Sequence, residues 1–354
     1  MIRVGEALAR WTTLGVGGPA ERLILAETER DVIDAVRDAD DHGRALTVLG
    51  GGSNVLVGDD EIRGDVVRVG HRGVELAHDS YVMRLTAAAG EPWDAVVQRA
   101  VDEGLAGIEC LSGIPGLVGA TPVQNVGAYG QEVADTITAV RVWDRVDRTV
   151  RALSPAECAF AYRDSAFKRD PTGRCVVLAV TFALTPGGAP AVRYGELSRA
   201  MASQPATLRA TRDTVLTLRR AKGMVLDPAD PDTRSAGSFF TNPVVSKELA
   251  DAVEALVRQG DGSATMPRWE APEGRVKLAA GWLIERAGVR RGMRLGRAAV
   301  SSKHALALTN PGGDCRAEEV VALAREVAAS VFARFGVTLR PEVVALGVSD
   351  PLWG

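Results

Sequence analysis

Hydrophobic residues near the start of the chain follow first the period of a strand and then that of a helix. Apolar and polar positions alternate over Glu21–Leu25, which predicts a strand. Thr28 and Asp31 form a capping box that opens a helix ending at Gly43. A second apolar run, Leu46–Leu49, predicts another strand. Together these elements form a β-α-β unit.

The same patterns divide the rest of the chain into a strand-rich part and a helix-rich part. Strands dominate residues 136–184, whereas helices dominate after about residue 210. Earlier, the pattern predicts a strand at 82–88 and a helix at 92–103; later, it predicts helices at 211–221, 247–258, 278–287 and 318–335, a short strand at 305–308 and a final strand at 337–346. We therefore predict one domain over 1–215, with subdomains of about 1–70 and 71–215, a second over 216–335, and a C-terminal strand segment over 336–354.

The composition is that of an ordinary globular protein. The 354 residues include 42 Lys and Arg against 45 Asp and Glu, a net charge of −3, and 46% are hydrophobic. This balance excludes a bulk nucleic-acid binder and an extended disordered chain. No apolar run approaches the roughly 20 residues of a membrane span, and the first residues show no hydrophobic signal region. We expect a cytoplasmic protein that binds neither nucleic acid nor membrane and works as a monomer.

The four cysteines give no indication of a metal site. They are far apart, without the paired spacing of metal ligands, and an intracellular chain would keep them reduced. We interpret them as structural and predict no metal.

A glycine-rich turn follows the second predicted strand. It consists of Gly50, Gly51, Gly52, Ser53 and Asn54. The turn lacks the third glycine and following helix of a Rossmann fingerprint, and it lacks the Lys-Ser/Thr pair of a P-loop. What remains is a run of backbone N–H groups and a hydroxyl that can hold a phosphate or pyrophosphate, although glycine-rich strand ends are also common without a ligand.

A second glycine cluster covers residues 113–130. It contains five glycines and two prolines without a regular period. The segment is apolar enough to be buried but too broken for a plain helix or strand, so we predict that its backbone lines a flat ligand. Together, the two glycine clusters favour a large cofactor that carries a pyrophosphate.

Two further positions carry candidate chemistry, each with a simpler alternative. Arg163 follows an aromatic residue in a strand-rich region, where a solvated loop is the alternative. Ser238 lies between a glycine and two aromatic residues, so its hydroxyl could donate a proton or cap a helix. Its surroundings are not a G-x-S-x-G elbow and no histidine shares its motif, which argues against a hydrolase triad.

The roles of several charged residues in or near the second domain are also left open by the sequence. Arg219, Arg220 and Lys222 end a predicted helix, where positive charge is favourable with or without a bound anion. Glu342 lies in the predicted apolar final strand, where a carboxylate is costly unless it is paired or functional.

Taken in order, these motifs resemble one family over nearly the whole chain. They are 12–20, 50–57, 114–130, 162–167, 194–195, 237–243, 277–284 and 341–343. The chain is similar to the UDP-N-acetylenolpyruvoylglucosamine reductases, flavoenzymes of peptidoglycan precursor synthesis. The segment around Tyr194 resembles the type I branch, in which a tyrosine loop covers the substrate.

The resemblance implies an α+β fold. Residues 1–215 would form an FAD-binding domain of the PCMH or vanillyl-alcohol-oxidase type, built of two α/β subdomains, and a C-terminal α+β domain would bind substrate. FAD would be held non-covalently by Gly50, Gly51, Gly52, Ser53, Asn54, Ile114, Pro115, Gly116, Gly119, Ala120, Gln124, Asn125, Gly127 and Ala128. The turn at residues 50–54 would hold the pyrophosphate, and the segment 113–130 would run along the flavin.

The resemblance also implies the reaction. NADPH would reduce the flavin and leave, and UDP-N-acetylglucosamine enolpyruvate would then accept a hydride from flavin N5 at its methylene carbon. Arg163 and a protonated Glu342 would stabilise the resulting enediolate, and Ser238 would deliver the proton. Substrate contacts would come from Tyr162, Tyr194, Lys222, Asn242, Lys277 and His304, of which Tyr194 and Lys222 would contact the diphosphate.

The chain departs from the family's usual pattern at several nucleotide-binding positions. Residues 223–228 replace a short proline-containing run, and Thr241 stands where some relatives have lysine. Met266 stands where an aromatic residue often contacts substrate. These departures affect the expected nucleotide contacts and leave the chemistry untouched.

Three other functions remain as alternatives. An oxidase on the same FAD scaffold explains the glycine clusters but gives no role to Ser238, Arg163 and Glu342. A catalytically silent UDP-sugar-binding regulator would bind without consuming NADPH and leaves Glu342 unexplained. A serine hydrolase is the weakest of the three alternatives.

Overall fold

The structure is a computed structural model that describes residues 1–260 and 265–353. Its strands are β1 (Ile2–Ala7), β2 (Pro19–Ala26), β3 (Leu46–Leu49), β4 (Val55–Val57), β5 (Ile62–Val69), β6 (Val74–Asp79), β7 (Val82–Ala88), β8 (Leu105–Ala106), β9 (Gly127–Ala128), β10 (Gln131–Glu132), β11 (Ile137–Asp144), β12 (Thr149–Leu153), β13 (Cys175–Pro186), β14 (Val244–Val245), β15 (Arg268–Glu270), β16 (Val276–Leu278), β17 (Arg294–Leu295), β18 (Ala298–Val300), β19 (Leu308–Thr309) and β20 (Val344–Leu346). Its α-helices are α1 (Glu29–Asp41), α2 (Trp93–Asp102), α3 (Thr121–Gln124), α4 (Pro155–Cys158), α5 (Ala166–Arg169), α6 (Gly195–Ala200), α7 (Leu208–Ala221), α8 (Lys247–Gly260), α9 (Ala280–Arg286) and α10 (Ala317–Phe335). In this part of the chain, none of the helices combines the length and the apolar character that crossing a bilayer requires.

The chain divides into two compact units that exchange short segments. The first unit contains residues 1–6, 19–52 and 62–225, and the second contains residues 7–18, 53–61 and the chain from Leu226 onward. The sequence-based division at 215 differs from this arrangement, because it assigns residues 7–18 and 53–61 to the first domain.

The parallel strands of the first unit come from the predicted β-α-β pattern. Thr28 caps α1, accepting a hydrogen bond from the Asp31 N–H, while the Asp31 carboxylate accepts one from the Thr28 N–H. The strand order is β1-β2-β5-β3, so β5 lies between the two strands of the predicted unit and pairs parallel with both. Apolar residues of α1 pack against β2 and β5. Because β5 pairs parallel with β2 and β3, the carboxyl ends of all three strands lie at one edge of the sheet.

A second, antiparallel sheet completes the first unit. Its strand order is β12-β11-β13-β7-β6, with β8 added to the end of β13. Trp93 of α2 is buried against Phe182 of β13, with the ring centroids 5.6 Å apart. These contacts place the segment that follows α2, residues 113–130, against the same core.

The second unit is built around α8, α9 and α10, whose apolar faces share one buried cluster with β18 and β19. Residues 53–61 belong here because β4 pairs parallel with β20, with Val55 opposite Val344. Asp59 also accepts hydrogen bonds from the Ala317 and Glu318 N–H groups at the start of α10. A carboxylate at a helix N-terminus satisfies otherwise unpaired donors and complements the helix dipole.

Two predicted strands are wrong in their extent. The apolar run 337–346 forms a strand only over its last three residues, β20, and Glu342 precedes that strand in irregular backbone. The predicted strand at 305–308 begins only at Leu308, as β19. Both segments form backbone hydrogen bonds with the loop at 239–241, which is distant in sequence. Local hydrophobic patterning gives no information about such contacts.

Candidate active site

The glycine turn after β3 lies close to the second glycine cluster. A Cβ on Gly51 would be 2.6 Å from the Gly116 Cα, whereas a Cβ on Gly50 would be 3.6 Å from the Ala120 Cβ. Gly52 has φ +64°, a conformation that favours glycine. The two clusters therefore form a backbone-lined cradle within the first unit, and this cradle fits a cofactor that must approach main-chain N–H groups closely.

Ser53 and Asn54, the last two residues of the predicted turn, belong to the second unit. The Asn54 Nδ2 donates to the carbonyl oxygen of Glu342 at 3.3 Å, and the Val344 N–H donates to the Asn54 carbonyl at 3.0 Å. Asn54 therefore holds the backbone that carries Glu342.

The segment 113–130 is folded by its own polar side chains. Asn125 is buried in a left-handed conformation, with φ +41°, and its Nδ2 donates to Glu132 and to the Ala161 carbonyl. The Gln124 Oε1 accepts from Lys168 at 3.2 Å. Because these amides bond protein groups, the segment offers mainly its half-buried backbone, including that of Ile114, Pro115, Gly127 and Ala128, to a ligand. Gly119 packs tightly against Ala89, the residue that follows β7, since a Cβ at Gly119 would be 2.6 Å from the Ala89 Cβ.

Arg163 lies against this same segment. It occupies a tight turn over 161–164 with φ +53°, and its guanidinium donates to the carbonyls of Gly127, at 2.6 Å, and Asn125, at 3.3 Å. The guanidinium carbon also lies 5.3 Å from the centroid of the Tyr162 ring. The residue is thus half-buried and held in place, which a fully solvated loop would not achieve.

Tyr194 and Lys222 come together around a third residue, Tyr129. The Tyr129 and Tyr194 rings meet edge to face at 5.8 Å, and the Lys222 Nζ lies 5.6 Å from the Tyr129 centroid. Desolvation raises the pKa of Tyr129 to about 12 and also raises the pKa of Tyr194. Both phenols therefore stay protonated at neutral pH and can donate to an anion beside the Lys222 ammonium.

Arg219, one turn before Lys222, carries a buried donor. Part of the side chain is accessible, but the Arg219 Nε is buried and has no hydrogen-bond partner among the described residues. Desolvation lowers the pKa of Arg219 to about 10, so the guanidinium remains charged at neutral pH. Its Nε would be 3.6 Å from a Cβ at Gly113, the start of the second glycine cluster. An orphaned donor beside this cluster fits a bound acceptor.

In the second unit, the segment that carries Ser238 lies between two others. The Phe239 N–H donates to the Leu306 carbonyl at 2.7 Å, and the Phe239 carbonyl accepts from the Glu342 N–H at 2.8 Å. No helix begins until Lys247, so the helix-cap interpretation of Ser238 does not apply. Ser238 is half-buried beside two buried phenylalanines, and it and Glu342 lie on adjacent segments that are joined by a backbone hydrogen bond.

His304 and Asn242 hold the surrounding backbone. The His304 Nδ1 accepts from the Leu306 N–H at 3.2 Å, which shapes the turn leading to the segment beside Phe239. The Asn242 Oδ1 accepts from the Ala280 N–H at 2.9 Å, at the start of α9. Both side chains therefore help to order the loops next to Ser238.

Lys277 is placed beside an aromatic residue that the sequence reasoning missed. Its Nζ lies 5.7 Å from the centroid of the Trp269 ring, and the two residues are cross-strand partners on β15 and β16. Trp269 is 42% exposed, whereas Met266 is buried in the apolar core. The accessible aromatic surface of this region therefore lies three residues after the position singled out in the sequence.

Glu109 was also missed, although it connects three parts of the first unit. Its buried carboxylate accepts hydrogen bonds from the Gly107 N–H, the Ala191 N–H and the Gln131 Nε2, at 2.8–2.9 Å. It thereby connects Ala191, three residues before Tyr194, to Gln131, the residue that follows the second glycine cluster. The sequence shows only a glutamate within an apolar run.

Two family profiles match the chain. A profile described as an FAD binding domain covers residues 20–153, and the profile of the UDP-N-acetylenolpyruvoylglucosamine reductase C-terminal domain covers residues 228–346. No group of three or more potential metal-ligating side chains is found among the residues that the structure describes. The fold, the glycine cradle and these matches define an FAD-dependent oxidoreductase.

Relatives narrow this class to one family. The chain is 50% identical to the UDP-N-acetylenolpyruvoylglucosamine reductase of Thermobifida fusca over 349 residues, which covers 97% of each chain. It is 51% identical to the Streptomyces coelicolor reductase, covering 97% of this chain and 89% of that one. The crystal structure of the Thermus caldophilus reductase superposes with a TM-score of 0.65 at 28% identity, covering 98% of this chain and 99% of that one. The chain belongs to the UDP-N-acetylenolpyruvoylglucosamine reductase family, as its motifs predict.

The cradle makes a direct prediction about cofactor binding. Gly51→Ala would place a methyl group against the Gly116 backbone, so the two glycine clusters must move apart. We expect this change to cost about 1–3 kcal/mol of stability and to weaken FAD binding by at least about tenfold. Thermal unfolding of the apoprotein and fluorescence titration with FAD measure the two effects.

Gly50→Ala is the matched control for this steric argument. Its methyl group would make only an ordinary contact with Ala120, so the apoprotein should keep nearly the wild-type unfolding temperature. If the Gly51 variant were as stable as the Gly50 variant and bound FAD equally well, the cradle would be refuted.

Proposed function

We propose that this protein catalyses the NADPH-dependent, FAD-mediated reduction of UDP-N-acetylglucosamine enolpyruvate to UDP-N-acetylmuramate in peptidoglycan precursor synthesis. The observation that carries the proposal is the hydrogen bond between the segments of Ser238 and Glu342. It brings the residues that carry a hydroxyl and a carboxyl group onto adjacent segments, in a chain that is 50% identical to a named reductase. An oxidase needs neither group.

The chemistry sets the demands on the protein. When bound, FAD takes a hydride from NADPH and passes it to the methylene carbon of the enolpyruvyl group. The electron pair of the double bond then lies on the carbon next to the carboxylate and delocalises into that carboxylate. Positive charge or an acidic donor at the carboxylate stabilises this enediolate.

Arg163 and Glu342 supply that stabilisation in the proposal. Arg163 is suited to the role because carbonyls of the second glycine cluster fix its guanidinium. Glu342 is half-buried and acts in its protonated form, donating a hydrogen bond. Neither residue changes its protonation state in the reaction.

Ser238 delivers the proton that completes the reduction. A hydroxyl is an adequate acid here because the carbanion is far more basic than a carboxylate. The product gains the hydride on one carbon and the proton on the other. Protonation on a single face requires that bulk water be excluded, and the buried Phe239 and Phe240 next to Ser238 provide apolar surroundings.

The substrate's charged and polar groups would be held by residues around these positions. Tyr194 and Lys222 contact the diphosphate, and Tyr162, Asn242, Lys277 and His304 provide further contacts. Support comes from the protonated phenols beside the Lys222 ammonium, an arrangement that suits a dianion. We further propose that the protein is a monomer and acts in the cytoplasm, where NADPH and nucleotide sugars are available. Sedimentation of the purified protein tests its oligomeric state.

An anaerobic absorbance experiment tests the reaction. The FAD-loaded protein is bleached with NADPH, and UDP-N-acetylglucosamine enolpyruvate is then added. Rapid recovery of the flavin absorbance is the expected result. Recovery of the absorbance only after oxygen is admitted would instead indicate an oxidase. Ligand binding without consumption of NADPH would indicate a silent regulator. A protein that cannot be loaded with FAD would contradict every flavoenzyme assignment.

A further inference from the structure

Glu196 forms an ion pair with the lysine assigned to the substrate. The Lys222 Nζ lies 2.6 Å from the Glu196 Oε2, and both side chains are about one third exposed. Glu196 lies two residues after Tyr194, in the first turn of α6, whereas Lys222 follows the end of α7. The pair therefore ties the Tyr194 segment to the end of α7.

The charges around this pair are mostly positive. The charges of Arg219 and Glu196 both influence the pKa of Tyr129, and the charges of Glu196 and Arg199 both influence the pKa of Tyr194. Lys222 lies over the Tyr129 ring within the same group. The Glu196 carboxylate thus lies among two phenols and several cations. The same surroundings are suited to binding another anion in its place.

Carboxylate and phosphate oxygens make the same kind of charge-assisted hydrogen bond to an ammonium group. A diphosphate carries more negative charge than one carboxylate and can also accept from the two protonated phenols. The Glu196 contact is partly exposed, so it is weak enough to be exchanged.

We infer that Glu196 is an internal stand-in for the substrate diphosphate: it occupies Lys222 in the ligand-free protein and releases it when the nucleotide binds. The inference rests on the proposed function, in which Lys222 contacts the diphosphate. Glu196 is then a positioning residue that competes with the substrate for one cation and keeps the Tyr194 segment close to Lys222 until the exchange.

Competition predicts a gain of affinity when the competitor is removed. Glu196→Gln keeps the size of the side chain but removes its charge, so Lys222 no longer has a carboxylate to exchange. A partly exposed ion pair shifts an equilibrium by up to about fivefold. We expect the variant to bind UDP about threefold to fivefold more tightly than the wild type at low salt, and this advantage should shrink at high salt because screening weakens the pair in the wild type.

Isothermal titration of the FAD-loaded protein with UDP measures this effect. Asp213→Asn is the matched control, since Asp213 is an exposed carboxylate on α7 for which no contact with Lys222 is found in the described part of the chain, and its removal changes the net charge equally. This control should leave UDP affinity unchanged. Lys222→Met should weaken UDP binding at least about tenfold.

Hydrogen exchange of residues 194–200 gives a second readout. Without its tie to Lys222, this segment should exchange faster in ligand-free Glu196→Gln than in the wild type. Equal exchange in both proteins would contradict the tie, and similar unfolding temperatures would show that the variant is folded.

The outcomes separate the inference from the proposed function. If Lys222→Met loses UDP affinity but Glu196→Gln binds UDP equally or more weakly, Glu196 is not a competitor and the inference fails alone. If the wild type does not bind UDP while NADPH still bleaches the flavin, both the diphosphate assignment and the inference fail. Tighter binding by Glu196→Gln together with weaker binding by Lys222→Met supports both.

Discussion

Ser238→Ala is expected to slow the reoxidation of the reduced flavin by UDP-N-acetylglucosamine enolpyruvate by about 10²–10⁴-fold, the usual contribution of a positioned general acid. Reduction of the flavin by NADPH should proceed at the wild-type rate, because that half-reaction requires no proton from Ser238. Anaerobic stopped-flow absorbance separates the two half-reactions. The change removes one half-buried hydroxyl, so the fold should be kept.

Ser235→Ala is the control for this experiment. Ser235 lies three residues earlier in the same loop, and its hydroxyl accepts a hydrogen bond from the Gly237 N–H at 3.2 Å. Its loss perturbs the loop without removing the proposed acid, so reoxidation should change only a few-fold. If the Ser238 variant reduced the substrate within a few-fold of the wild-type rate, Ser238 would not be the proton donor and the oxidase alternative would regain support.

Arg163→Met should reduce the rate of flavin reoxidation by substrate about 10²–10³-fold, the cost of removing one preorganised donor from a developing negative charge. Methionine keeps much of the side-chain volume but cannot donate to the carbonyls of Gly127 and Asn125 or to a carboxylate. Single-turnover kinetics with saturating substrate report this step directly. Flavin reduction by NADPH should be much less affected.

Arg169→Met is a matched control. Arg169 belongs to the same local segment and pairs with Asp164, and its side chain is 47% exposed. The variant should reoxidise at nearly the wild-type rate. Equal losses in the two variants would show that the segment, rather than the Arg163 charge, carries the effect.

The longer helices were predictable because their determinants are local. The capping box of α1 involves residues three positions apart, and the apolar stripes of α2, α7, α8 and α10 need only a packing surface on one side. The glycine turn after β3 was predictable in the same way, since glycine permits the positive φ of Gly52. The motifs 162–167 and 237–243 also identified the family.

The final strand was mispredicted because its partner is remote. Apolar residues continue through 337–346, but only β20 finds a pairing strand, β4, nearly three hundred residues earlier in the chain. The chain before β20 instead forms one isolated antiparallel bridge, between Pro341 and Phe240, with the Ser238 segment. No local pattern reports where such a partner lies.

By itself, the sequence determined the six longest helices, the strands β2, β3 and β7, the two glycine clusters and the family, because hydrogen bonds and side-chain periods act between neighbouring residues. The tertiary structure alone decided that β5 lies between β2 and β3, that Glu109 bonds three separate segments, and that Lys222 meets Glu196 over Tyr129. The hydrogen bonds of Glu109 and of the Lys222–Glu196 pair join residues that are 2 to 82 positions apart in the chain. Which of many polar groups becomes a partner depends on how the whole core packs.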